Sequence, residues 1–281
     1  MDFFFDLLAY EFLQRGLLVA VLTGVISGVI GTLVMLRGLS LLGDAISHSV
    51  VPGVAVAYIF GFNFFYGAVI TGLLSAFGIG FIHHRTRVKQ DAAIAIILSS
   101  FFAVGIILIA GASSAIDLTK ILFGNILAVR PEDMWISLAV GVIVLTVVTL
   151  LYKEFLISSF DEATAEVYGF RTKALHYLIL VLLTLVTVAS MQTVGVVLVI
   201  ALLITPVATA YLLVKRVPQI MFLAASIGAG SALIGMILSF KLNLPSGPII
   251  VLVASACFVT ALLFSPRQGL VVKQLRRFTQ K

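Results

Sequence analysis

Nine apolar stretches, parted by short polar breaks, divide this chain almost from end to end. They fall at about 15–36, 42–60, 64–82, 92–111, 134–152, 175–191, 194–214, 219–240 and 248–264. A bilayer's hydrocarbon core of about 30 Å is crossed by about 20 helical residues, so these stretches have the length of spans. They are apolar all round rather than striped, as expected of helices with no face in water. The pattern predicts an all-α polytopic membrane protein in which residues 1–281 form one transmembrane domain. Stretch 175–191 is short and 42–60 carries two ionisable residues, so eight spans is the competing count.

Composition agrees. The chain is 61% hydrophobic and 11% charged, with a mean hydropathy of +1.21, whereas soluble chains carry about 25% charged residues. Little length remains for a soluble domain. The net charge of +6 belongs to loops and tail and gives no sign of nucleic-acid binding. With the 81–91 loop placed inside, fourteen of the 18 Lys and Arg residues fall on the inner side. Arg15, Lys120, Arg130 and Lys241 are left outside. This bias predicts a cytoplasmic C-terminus and, with nine spans, an external N-terminus. Residues 1–14, with Asp2, Asp6 and Glu11 among Phe and Leu, suit an interfacial helix rather than a basic signal peptide. The lone Cys257 excludes an internal disulfide and reads as a small packing residue. Gly24 and Gly28 form a GxxxG pattern, and Gly228, Gly230, Ser231 and Gly235 cluster in a later span. Such small residues let helices approach closely in lipid. No internal repeat is evident.

Four groups of residues could carry chemistry. Asp44 and His48 interrupt an apolar run four residues apart, hence on one helical face. A carboxylate at membrane depth costs about 3 kcal/mol, which favours a functional role. Carboxylate and imidazole together suit a divalent transition metal. A structural ion pair is the competing explanation. One chain supplies half a coordination sphere. Two copies about a twofold axis would supply two carboxylates and two imidazoles, with charge matched to a divalent cation. Gly43, Pro52 and Gly53 would loosen the helix beside the pair.

The longest polar interruption, 153–174, holds a short helix-forming run opened by Asp161 and Glu162 and closed by Gly169. With Phe160 and Tyr168 as anchors it could dock into a partner's groove, or serve only as a connector. The region 112–131 is too apolar for a plain loop and too short for a span, which suits a re-entrant or interfacial helix. Its Asp117 could receive a cation or pair with Lys120 or Lys241. Gln192 near an outer helix end could face a pathway, and Pro206 would kink its helix. His83, His84 and His176 fit solvated faces. The chain has no phosphate-binding loop, no HExxH and no nucleophile elbow, so ATP hydrolysis would need a partner chain.

Leu36 through His48, the run from Asp91, Ile121–Val129, Ser159–Glu162, and Gln192–Gly195 through Pro206 together resemble a known family. They are similar to the permease subunit of ATP-binding-cassette importers for manganese, zinc or iron, most of all to manganese permeases of Gram-positive type. The resemblance implies a type II importer bundle that works as a homodimer in a prokaryotic cell membrane. It further implies two cytoplasmic ATPase subunits and an external metal-binding lipoprotein as partners, with no permanently bound cofactor. It maps the metal ligands onto Asp44 and His48, and the coupling helix onto Phe160, Asp161, Glu162, Tyr168 and Gly169. Zinc and iron members share the Asp/His signature. Two other classes compete: an ion-gradient-driven transporter with a proton relay at the pair, and an intramembrane metalloenzyme. The first lacks inverted repeats and the second lacks ligands and a general base.

Overall fold

The computed structural model describes residues 10–111, 126, 129–265 and 269. Among the described residues all regular structure is helical. The order is α1 Glu11–Leu36, α2 Leu42–Ser49, α3 Val51–Phe60, α4 Phe64–Arg85, α5 Gln90–Gly111, α6 Pro131–Leu150, α7 Tyr152–Phe160, α8 Glu162–Val167, α9 Thr172–Val194, α10 Val196–Leu213, α11 Val217–Leu242 and α12 Ser246–Phe264. Nine stretches among the described residues are long and apolar enough to span, with α2 and α3 together forming one of them. This agrees with nine spans rather than eight. The stretch expected at 175–191 is a 23-residue helix. Its first turn recruits Thr172 and Lys173, and the polar Gln192 does not end it.

The outer surface is the opposite of a soluble protein's. Ile70, Leu74, Ile107, Val142, Leu150, Phe222 and Leu252 all stand more than half exposed. Large apolar patches of this kind face lipid or a partner. The spans formed by α1, by α2–α3 and by α9 are the most enclosed, and α5 is the least. The multi-pass membrane class follows from these two observations.

Small residues bring the inner helices together, as the GxxxG pattern suggested. A Cβ on Gly24 would lie 2.5 Å from the Gly228 carbonyl carbon, and one on Gly28 would lie 2.6 Å from that of Ala224. The α1–α11 crossing is therefore backbone against backbone. Dispersion across such a close contact replaces the hydrophobic drive that lipid cannot supply. Chain 152–167 departs from the expected single short helix. It forms two helices, because α6 stops at Leu151 and the chain restarts as α7 with Phe155 fully buried. The 1–14 and 112–131 expectations, including Asp117, fall largely or wholly outside the described residues, as does the His84 side chain.

Candidate metal site and coupling segment

The span from Leu42 to Phe60 breaks once, at Val50. Pro52 has no amide hydrogen, so the His48 carbonyl, four residues earlier, loses its helical donor. Close packing fixes the break on the far side. A Cβ on Gly53 would lie 2.0 Å from the Gly67 oxygen, and the Thr71 hydroxyl stands 3.4 Å from the Val50 carbonyl oxygen. The loosening expected from Gly43, Pro52 and Gly53 is thus a discrete joint next to His48.

On α2 every residue is buried except Asp44 and His48. Their side chains are 43% and 30% exposed, with Asp44 Oδ1 and His48 Nε2 3.5 Å apart. The His48 ring sits edge-on to Phe102 of α5 at 5.8 Å between centroids. The depth of the pair follows from its neighbours. A Cβ on Gly72 would touch Thr184, Val50 and Ile46, so the stretch 46–50 is level with the middle of α9. Phe102 likewise lies mid-way along α5. An ionisable pair at mid-bundle, open on one face, is not an internal clamp between two helices of this chain. Among the described residues no third His, Cys, Asp or Glu joins it. The described residues of one chain therefore offer one carboxylate and one imidazole here. Gln192, the candidate pathway residue, lies on α9, and its Oε1 is buried without a hydrogen-bond partner.

The coupling candidates lie at the other extreme of exposure. Asp161 caps α8, accepting from the Thr164 amide at 3.0 Å and from the Thr164 hydroxyl. These bonds hold its carboxyl below the usual carboxylate range. The cap is accordingly complete above that range and is lost as pH falls through the depressed value. Gly169, with φ +83°, closes the same helix: its amide donates to Glu166 O, and that of Phe170 donates to Ala165 O. This double bond pattern is a Schellman end, which favours glycine because an L side chain is strained at that φ. The start and stop signals legible in the sequence are therefore both used. Phe160, Val167 and Tyr168 remain largely exposed around this six-residue helix. Thr172 Oγ1 donates to Glu166 Oε1 at 3.0 Å, which ties the segment to α9.

One long-range contact was missed from the sequence. Arg37 donates to Ser158 Oγ at 2.6 Å and to Ser159 Oγ at 3.0 Å, joining the end of α1 to the end of α7 across about 120 residues. No local pattern flags such a pair. A cavity of about 430 Å³ opens beside it, lined among others by His83, Gln90, Phe160, Glu162 and His176.

The ABC 3 transport family model matches residues 9–265. A manganese transport system membrane protein, MntC, of Listeria monocytogenes is 53% identical over 276 residues, covering 98% of this chain and 99% of the relative. A probable iron transport system membrane protein of Haemophilus influenzae is 38% identical, covering 94% of this chain and 97% of the relative. A structure of PsaBC from Streptococcus pneumoniae in complex with Fab superposes with a TM-score of 0.87 at 44% identity, covering 97% of this chain and 99% of that one. With a family match across nearly the whole chain and relatives this similar, the protein belongs to the ABC 3 transport family.

Proposed function

We propose that this chain is the permease subunit of an ATP-binding-cassette importer that carries a divalent transition metal, manganese foremost, into the cell. The observation that carries the reading is the Asp44/His48 pair, a partly exposed acid and imidazole at mid-bundle depth on a face that the described residues leave partly open. In lipid that face would be costly. A second copy apposed there would complete a sphere of two carboxylates and two imidazoles around a dipositive ion. The exposed apolar flank of α5, which packs beside α2, suits such a contact. The metal is cargo, so the site must release it. The joint at Val50 gives α2 a place to shift, and Gln192 is a candidate for the path.

The side assignment puts Arg37, the 81–91 loop, the 151–171 segment and the C-terminus in the cytoplasm. There the capped α8, with Phe160, Asp161, Glu162, Tyr168 and Gly169, is the docking element for a separate ATPase chain. An external metal-binding lipoprotein would deliver the ion. Support for manganese over iron or zinc comes from the similarity to the Listeria manganese transport system membrane protein, and the Haemophilus relative keeps iron as the second reading. Neither ion-gradient drive nor an intramembrane enzyme gains support from a site with two candidate ligands per chain.

The test is the manganese, iron and zinc content of cells with and without the chain, and with Asp44→Asn or His48→Ala. Manganese should fall selectively in all three deficient strains while both variants still insert and assemble. Normal metal content in both variants would remove the metal-site reading. Selective loss of iron or zinc would reassign the cargo.

A further inference from the structure

The contact between Arg37 and the two serines joins the stretch of chain just before the proposed metal helix to the stretch just before the proposed docking helix. Arg37 ends α1, and Gly38 behind it has φ +68°. The Gly38 amide donates to Met35 O and the Leu39 amide to Val34 O at 2.9 Å, another Schellman end. Leu39 is buried, and its carbonyl accepts from the Leu42 amide at 2.9 Å, in the first turn of α2. From Arg37 to Asp44 the chain is thus a short, internally bonded connection. On the other side, Ser158 and Ser159 form the last turn of α7. Both hydroxyls also donate back to Phe155 O, whose side chain is fully buried. Phe160 and the α8 cap follow at once. Helix α7 packs on α1, α6, α8 and α9.

The chemistry of the contact suits a joint that must move. A planar guanidinium reaches two acceptors in a fixed fork, which sets a direction as well as a distance. Burial lowers the guanidinium pKa from its ordinary value, with Glu162 opposing the shift. No carboxylate among the described residues is bonded to it, so it is held by neutral hydroxyls. A desolvated cation held this way is specifically placed without being locked into a salt bridge.

We propose that Arg37 is a positioning residue for transport, transmitting displacement of the 158–167 segment to the Asp44/His48 helix through its bonds to Ser158 and Ser159. The inference rests on the import reading above, since it assigns a route between that reading's two sites. Arg37 touches neither metal nor ATPase.

The experiment uses the complete complex of permease, ATPase and binding protein in liposomes, reading manganese taken up per ATP hydrolysed. Arg37→Ala should lower that ratio roughly tenfold, with ATP hydrolysis within about twofold of the parent. Manganese binding by the purified permease should be unchanged. Ser158→Ala with Ser159→Ala should do the same, and combining all three should be no worse than either set alone, as for two ends of one contact. Arg37→Lys, a point charge reaching one hydroxyl, should recover part of the ratio. An unchanged ratio in both sets, or a parallel fall of uptake and hydrolysis, overturns the proposal. If Arg37→Ala fails to assemble, the double serine variant decides alone. Failure of the parent complex to take up manganese would instead sink the import reading.

Discussion

Gly53 and Gly67 cross backbone to backbone, each so close that a Cβ on either would lie within 2.2 Å of the other's carbonyl oxygen. The crossing holds α3 against α4 immediately after the joint that ends α2. Gly53→Ala or Gly67→Ala must push these helices apart, because the obstructing atoms are backbone and cannot rotate away. Overpacking of this kind costs about 1–3 kcal/mol. The expected outcome is a clear fall in melting temperature of the detergent-purified protein, together with loss of metal uptake. Unchanged melting would mean the two helices can separate freely at this point. A neighbouring control is Gly61→Ala, where no atom lies within 4 Å but φ is +72°, so any loss there reports backbone strain alone.

The exposed aromatics of the 158–170 segment are expected to anchor the ATPase. Aromatic anchors in a partner's pocket typically contribute about 2 kcal/mol each, so losing one would weaken binding roughly 30-fold. Phe160→Ala with Tyr168→Ala should therefore abolish co-purification of the ATPase while leaving manganese binding by the permease intact. Full co-purification with normal metal-stimulated hydrolysis would make the segment a plain connector. Docking would then belong to the 81–91 loop or the C-terminal tail.

Sidedness is open to direct labelling. Leu244 and Val167 are both exposed and lie in connections that the charge bias places on opposite sides. In a chain with Cys257 replaced by Ser, Leu244→Cys should react with an impermeant thiol reagent on intact cells. Val167→Cys should react only after permeabilisation. The reverse pattern would invert the whole orientation.

Much of this architecture was legible because lipid simplifies the code. Apolar length alone locates the nine spans, and the Gly24/Gly28 spacing marks the face that meets Gly228 and Ala224. Asp44 and His48 stood out because charge is rare at that depth, and Asp161 with Gly169 announced α8 through local capping. What stayed hidden depends on distant parts of the chain. Arg37 looked like one more inner-side cation, and only folding brings it to Ser158 and Ser159. The separate helix α7 was missed because its polar residues read as loop, while the burial of Phe155 that sustains it is tertiary. The 172–194 span was drawn too short for a related reason: hydropathy undervalues Thr172, Lys173 and Gln192, which the helix accommodates at its ends.

If two copies of the Asp44/His48 pair make one metal site, as proposed, the stoichiometry of manganese bound by the purified permease must reflect it. Equilibrium binding followed by paramagnetic resonance counts free and bound ion separately. The expected result is one manganese ion per two chains, abolished by Asp44→Asn, which leaves the dipositive charge unbalanced, and by His48→Ala, which removes both nitrogen ligands. One tightly held ion per chain, or binding that survives both substitutions, would mean that the two pairs do not share an ion.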